Sequence, residues 1–303
     1  MKGISYTASG RHRKEQSIHF LFFFIALASI ITLGLILLFL FMEGLPIFKQ
    51  VSIHDFLLGK YWYPTDDPAD FGIFALIMAS VAVTGVSAVI SIPLGVLTAL
   101  YLAEAASARI RQWVKPIVEL LAALPSVVIG FFGMVIVAPF LQDIFNVATG
   151  LNLFNASLML AFMSIPTICS ISEDAIFGVP AELKEASLAL GATRWETIWR
   201  VIIPASISGI CTAVILGMSR AIGETMVVLM VAGGAAMVPG SLFDPVRPMP
   251  ASIAAEMAEA PFRGDHYYAL FATGIVLFAF TLLFNVVADY ISNRYRQVGA
   301  ATL

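Results

Sequence analysis

A chain of 303 residues with 59% hydrophobic and only 12% charged residues is too apolar for a soluble domain, whose charged share is about 25%. Its formal net charge of -3 averages opposing membrane faces, so it argues neither for nor against an acidic or basic partner, and nothing suggests nucleic acid. Cys169 and Cys211 both fall in or beside apolar runs, which gives no disulfide framework and no metal site.

Crossing about 30 Å of hydrocarbon takes about 20 apolar residues. Six stretches qualify, at 18–42, 72–103, 114–140, 156–177, 205–233 and 267–291, so the expected fold is all-α and polytopic. The apolar core of the first runs to about 25 residues, beyond the roughly 7 to 15 of a cleaved signal, and it reads as a retained anchor behind a tail at 1–17.

Orientation follows the excess of Lys and Arg in cytoplasmic loops. Lys2, Arg11, Arg13 and Lys14 precede the first span, Arg109, Arg111 and Lys115 follow the second, Lys184, Arg194 and Arg200 follow the fourth, and Arg294 and Arg296 lie in or beside the closing tail, 292–303. The alternate loops hold only Lys49, Lys60, Arg247 and Arg263, so both termini are expected in the cytoplasm.

Two long segments then face outward. Residues 43–71 are rich in aromatics, Pro and Asp, and Tyr61, Trp62 and Tyr63 suit a membrane surface or a docked partner. Residues 234–266 carry Pro239, Pro245, Pro248 and Pro250 and an Ala-rich stretch, SIAAEMAEA, expected to form a surface helix in an ordered cap. Pro93 and Pro166 are expected to kink their spans, Pro125 and Ser126 to interrupt the third, and Glu173 and Asp174 to sit in water at the inner end of the fourth.

Between the fourth and fifth spans the chain turns polar. Residues 181–190 are helix formers, and Gly191 stands where a helix end needs positive φ. Thr193 with Glu196 makes a capping box for a second helix, whose apolar face is Trp195, Ile198, Trp199 and Ile202. A helical hairpin at the inner surface results; the alternative is a segment lying flat on the bilayer.

Glu185-Ala186-Ser187, three residues, Gly191, nine residues, then Val201-Ile202-Ile203-Pro204 resembles the EAA-loop signature of ATP-binding-cassette importer permeases, E-A-A-x3-G-x9-I-x-L-P. Ser187 replaces the second Ala, Val201 and Ile203 replace Ile and Leu, and the spacing is intact. Tyr101 to Glu104, Leu124 to Gly133 and Gly217 to Thr225 look like the phosphate-specific permeases, and Phe56 to Pro64 is similar to the PstC type more than the PstA type. The resemblance implies a six-span permease with its core over 72–291, in which the segment 181–204 couples it to an ATPase through Glu185, Ala186, Ser187, Gly191 and Pro204. It also implies a second permease subunit, two ATPase copies, an outer phosphate-binding protein and an inner-membrane location.

Arg220 and Glu224 fall within the fifth span. An arginine there costs about 2.5–3.5 kcal/mol on insertion scales and needs a partner or a path. Four residues apart on one helix, the two can pair with each other. Alternatively Arg220 attracts a passing anion through its planar fork of donors, and Glu224 accepts the P–OH that fully ionised sulfate lacks. No cofactor is implied, and the four histidines share no metal-ligand spacing. The absence of a G-x4-G-K-[ST] loop leaves ATP hydrolysis to another chain, so the protein itself is expected to be no enzyme. Rival readings are a permease for molybdate or sulfate and a secondary transporter driven by protons or sodium.

Overall fold

The computed structural model describes residues 8–294. In chain order the helices are α1 (Ala8–Gly44), α2 (Ile53–Leu58), α3 (Phe74–Leu100), α4 (Ala108–Ala122), α5 (Ser126–Phe132), α6 (Ala138–Phe145) and α7 (Leu153–Phe177). They continue with α8 (Ala181–Ala189), α9 (Arg194–Thr197), α10 (Ile203–Ile222), α11 (Met226–Val231), α12 (Met249–Glu256) and α13 (Asp265–Arg294). Single π-helical turns at Tyr101–Ala105, Gly133–Val137 and Ile198–Ile202 extend α3, join α5 to α6 and join α9 to α10. A hairpin of β1 (Trp62–Tyr63) and β2 (Asp70–Phe71) is the sheet structure among the described residues, apart from an isolated bridge between Gly233 and Val246.

Among the described residues six helical runs are long and apolar enough to cross a membrane. At their centre stands α7, which packs along α3 on one side and α10 on the other, while α1 lies outermost against α13. Small residues make the central contact close. A Cβ on Gly217 would come 2.6 Å from Ile168, and one on Gly95 2.8 Å from the same side chain, so α10 and α3 grip α7 from two directions.

Three apolar cores stack along the bundle. One, with Leu102, Ile176 and Ile202, lies at the α8 end; one, with Ile129, Met159 and Val231, lies midway; the third, with Phe56, Trp62, Phe71 and Met249, lies under the segment before α3.

The third expected span, 114–140, is two separate structures. Its first part belongs to α4, which has no fully buried side chain and carries Arg111 and Lys115 on one face. The chain then breaks at Ala123–Pro125, and the apolar run is Ser126–Phe145. Pro125 therefore starts a helix rather than bending one, since proline disfavours helical geometry in the residue before it. Pro93 and Pro166 lie inside unbroken helices.

Further expectations fail through long-range contacts. Glu173 is buried, not hydrated, with Arg111 at 2.5 Å and Lys115 at 2.6 Å; Lys115 also reaches the exposed Asp174 at 2.8 Å. These carboxylates, Asp174 foremost, hold the Lys115 ammonium above its ordinary pKa. Trp62 is a core residue rather than a surface anchor, although Tyr61 and Tyr63 are exposed and stacked beside it. In the Ala-rich stretch Ala254, Ala255, Ala258 and Glu259 are exposed, while the first turn of α12 ahead of it is buried through Met249, Pro250 and Ala251.

Candidate functional site

The polar segment folds as a hairpin with defined joints. Leu190 closes α8, Gly191 takes φ +86°, and Thr193 opens α9 with a complete capping box. Thr193 Oγ1 accepts from the Glu196 amide at 3.2 Å, and Glu196 Oε2 accepts from the Thr193 amide at 2.9 Å. Ser187, which stands where the signature has alanine, adds a hydroxyl contact to Thr197 Oγ1 at 2.9 Å that pins the two helices together. Pro204 stands at the start of α10, directly after the π turn Ile198–Ile202.

From α8 to α10 there is no flexible tether. The chain runs from Thr193 through the π turn Ile198–Ile202 into α10 as one helical rod. Glu185 and Ala186 are exposed, and so are Leu183, Leu188, Leu190, Trp195 and Trp199, the last two edge to face at 5.7 Å. These open apolar groups sit on an otherwise charged hairpin.

At the far end of the rod the fifth span stops early. The helix ends at Ile222, Gly223 and Thr225 break it, and α11 begins at Met226. Arg220 and Glu224 therefore do not share a helix face, and they form no ion pair. Glu224 instead accepts through Oε1 from the amides of Met226 at 3.2 Å and Val227 at 3.4 Å. A carboxylate at the start of α11 and a guanidinium in the last turn of α10 each meet the favourable end of a helix dipole.

Gly217, one turn before Arg220, lies against Ser164 and Ile168 near the centre of α7, so Arg220 sits near mid-depth of the bundle. Ser206, Ile210, Ala213, Gly217 and Ala221 are buried, whereas Thr212, Leu216 and Arg220 form the open edge of α10. Among the described residues Arg220 makes no hydrogen bond or ion pair. Beside it, Ser219 donates to Asn285 Oδ1 of α13 at 2.5 Å. Sequence reasoning missed Asn285, because a lone Asn in a span gives no hint of its cross-helix neighbour. The available signal for the helix end was Gly223, a glycine ahead of a fresh apolar run, which the reading of 205–233 as one span passed over.

A second polar cluster lies at the opposite end from α8. Glu256, mostly buried, takes Trp62 Nε1 at 2.9 Å, His266 Nε2 at 2.8 Å and Ser252 Oγ at 3.2 Å, and pairs with Arg247. It ties the strand hairpin, α12 and the start of α13 into one cap. Among the described residues no group of His, Cys, Asp and Glu is arranged to hold a metal ion.

Comparisons with known proteins agree on the kind of molecule this is similar to. The family described as "Binding-protein-dependent transport system inner membrane component" matches residues 91–297. The chain is 38% identical over 261 residues to the probable ABC transporter permease protein YqgH of Bacillus subtilis, covering 86% of this chain and 84% of that one. It is 36% identical over 259 residues to the phosphate transport system permease protein PstC of Mesorhizobium japonicum, covering 79% and 78%. Among solved structures, a bacterial alginate ABC transporter with its pentasaccharide-bound periplasmic protein superposes with TM-score 0.66 at 18% identity, covering 94% of this chain and 98% of that one. An inward-facing MetNI methionine ABC transporter superposes with TM-score 0.56 at 21% identity, covering 75% and 95%. At these identities the structures speak for the fold alone.

Proposed function

The chain belongs to the binding-protein-dependent transport system inner membrane components, and on that premise we propose that it is the permease subunit through which an ABC importer takes up inorganic phosphate. It is a multi-pass membrane component and no enzyme. The observation that carries the phosphate reading is the open guanidinium of Arg220 near mid-depth, on an edge of α10 left exposed among the described residues. An intramembrane charge faces a bundle interior or an aqueous cavity, and a second, similar permease completes that cavity. Relatives named as phosphate permeases support the choice of anion.

Both termini and the α8–α9 hairpin face the cytoplasm. There Glu185, Ala186, Ser187 and Gly191 dock against one of two ATPase copies, and the exposed Leu183, Leu188, Trp195 and Trp199 supply apolar contact. Closure of the ATPases moves the hairpin, and the rod beginning at Thr193 carries that movement through Pro204 to Arg220, exchanging outward for inward access. A solute-binding protein delivers phosphate on the opposite side, above the cap that Glu256 holds together. Glu224 fixes the α10–α11 break that sets where the guanidinium points.

Reconstituted vesicles test this reading. Labelled phosphate should enter only with ATP, the ATPase and the binding protein, should be insensitive to proton and sodium ionophores, and should yield little to sulfate or molybdate. Uptake by this chain alone on an ion gradient would assign it to the secondary transporters, and stronger competition by molybdate or sulfate would assign another oxyanion.

A further inference from the structure

The hairpin meets the membrane helices at a second point, away from its covalent link to α10. Lys184 of α8 reaches Glu104 Oε1 at 2.5 Å, with the two side chains only 23% and 15% exposed. Glu104 lies in the π-helical turn Tyr101–Ala105 that ends α3. Such turns are mostly single bulges in helices and are frequent at functional sites. The hairpin is thus clipped to one π turn by an ion pair and runs directly into another, Ile198–Ile202.

Beyond Glu104 the chain leads toward the Arg220 region by a second route. Ala106 is extended, Ser107 caps α4, and α4 is held on α7 by Arg111 and Lys115 against Glu173 and Asp174. After the break at Ala123–Pro125, α5 places Gly130 against the α11 backbone, where a Cβ would come 3.3 Å from Val227 Cα. Val227 is one of the two amides that hold Glu224. Two routes therefore connect α8 with the Arg220 region: the rod of α9 and α10, and an ionic route through Lys184–Glu104, α4 and α5.

We infer that the Lys184–Glu104 pair is a transmission link, a positioning pair that makes α3 and α4 move with α8 so that both sides of the path change access together. The inference rests on the reading of the chain as an ATP-driven permease. A purely structural ion pair gives a different signature: its loss lowers assembly, and hydrolysis and uptake fall in parallel. Loss of a link leaves the ATPase turning over while transport lags.

The test is the full complex in vesicles, with phosphate uptake and ATP hydrolysis measured on the same preparation. Glu104→Gln should lower phosphate moved per ATP by about tenfold, within the range of coupling between residues of one ionic network, with hydrolysis within about twofold of the parent. The exchanged pair, Glu104→Lys with Lys184→Glu, should restore at least about half of the parental ratio. An unchanged ratio in Glu104→Gln overturns the inference. If the single variant fails to assemble, the exchanged pair decides: coupled transport supports the link, and loss of assembly or of coupling overturns it. Absence of ATP-driven phosphate uptake in the parent would instead count against the proposed function.

Discussion

Gly191 offers a prediction whose size can be worked from geometry. Its φ is +86°, and a Cβ built there would find nothing within 4 Å. Substitution therefore meets no clash inside the chain, and its cost is the backbone conformation alone. An L-residue held in the left-handed region loses roughly 1–2 kcal/mol, less for Asn and more for a β-branched side chain. At about 1.4 kcal/mol per tenfold, Gly191→Ala should weaken capture of the ATPase by about five- to thirtyfold. Gly191→Asn should weaken it by less than about fivefold and Gly191→Val by more than Ala. Titrating the ATPase against the tagged chain in detergent measures this series. An order that follows side-chain volume, with Asn worse than Ala, would refute the argument from torsion, and so would a Val variant that binds as the parent does.

Other positions give equally distinct outcomes. Gly217→Ala should lower thermal stability by about 1–3 kcal/mol through overpacking, and Ile168→Ala should recover part of that loss, because the intruding Cβ meets Ile168 Cγ1 at 2.6 Å; additive losses in the double variant would show that the contact is not the cause. Glu256→Gln removes the charge partner of Arg247 and should cost about 1–3 kcal/mol, with a red shift in Trp62 emission as the cap loosens; an unchanged spectrum and melting point would contradict its role as a hub. Glu224→Gln keeps an oxygen for the Met226 and Val227 amides, so uptake should stay within about twofold of the parent while Glu224→Ala loses it. Entry of sulfate in the Gln variant would instead give the carboxylate a part in choosing the cargo.

Local signals are legible in the sequence, and long-range ones are not. The capping box at Thr193 and the positive φ at Gly191 come from residues within one turn of each other, and both form as expected. The spacing from Glu185 to Pro204 marks the hairpin for the same reason. Hydropathy misplaces the third span because Val114, Ile117 and Leu120 look like its beginning, although Arg111 and Lys115 commit that helix to Glu173, nearly sixty residues away. Trp62 misleads in the same way, since its partner Glu256 is 194 residues distant. A window of apolar residues reports transfer into lipid and is blind to the ion pairs and hydrogen bonds that bury a polar group inside the protein. At Arg220 and Glu224 the four-residue spacing suggests pairing, but Gly223 ends the helix between them and gives each charge its own helix end.

The most direct measurement is phosphate uptake by vesicles holding the complete complex with Arg220→Gln, alongside its ATP hydrolysis. Arg220 is exposed and unpaired among the described residues, so assembly and hydrolysis should persist while uptake falls by at least about tenfold, the loss of one charge-assisted contact. Parental uptake without this guanidinium would contradict a path for the anion along α10.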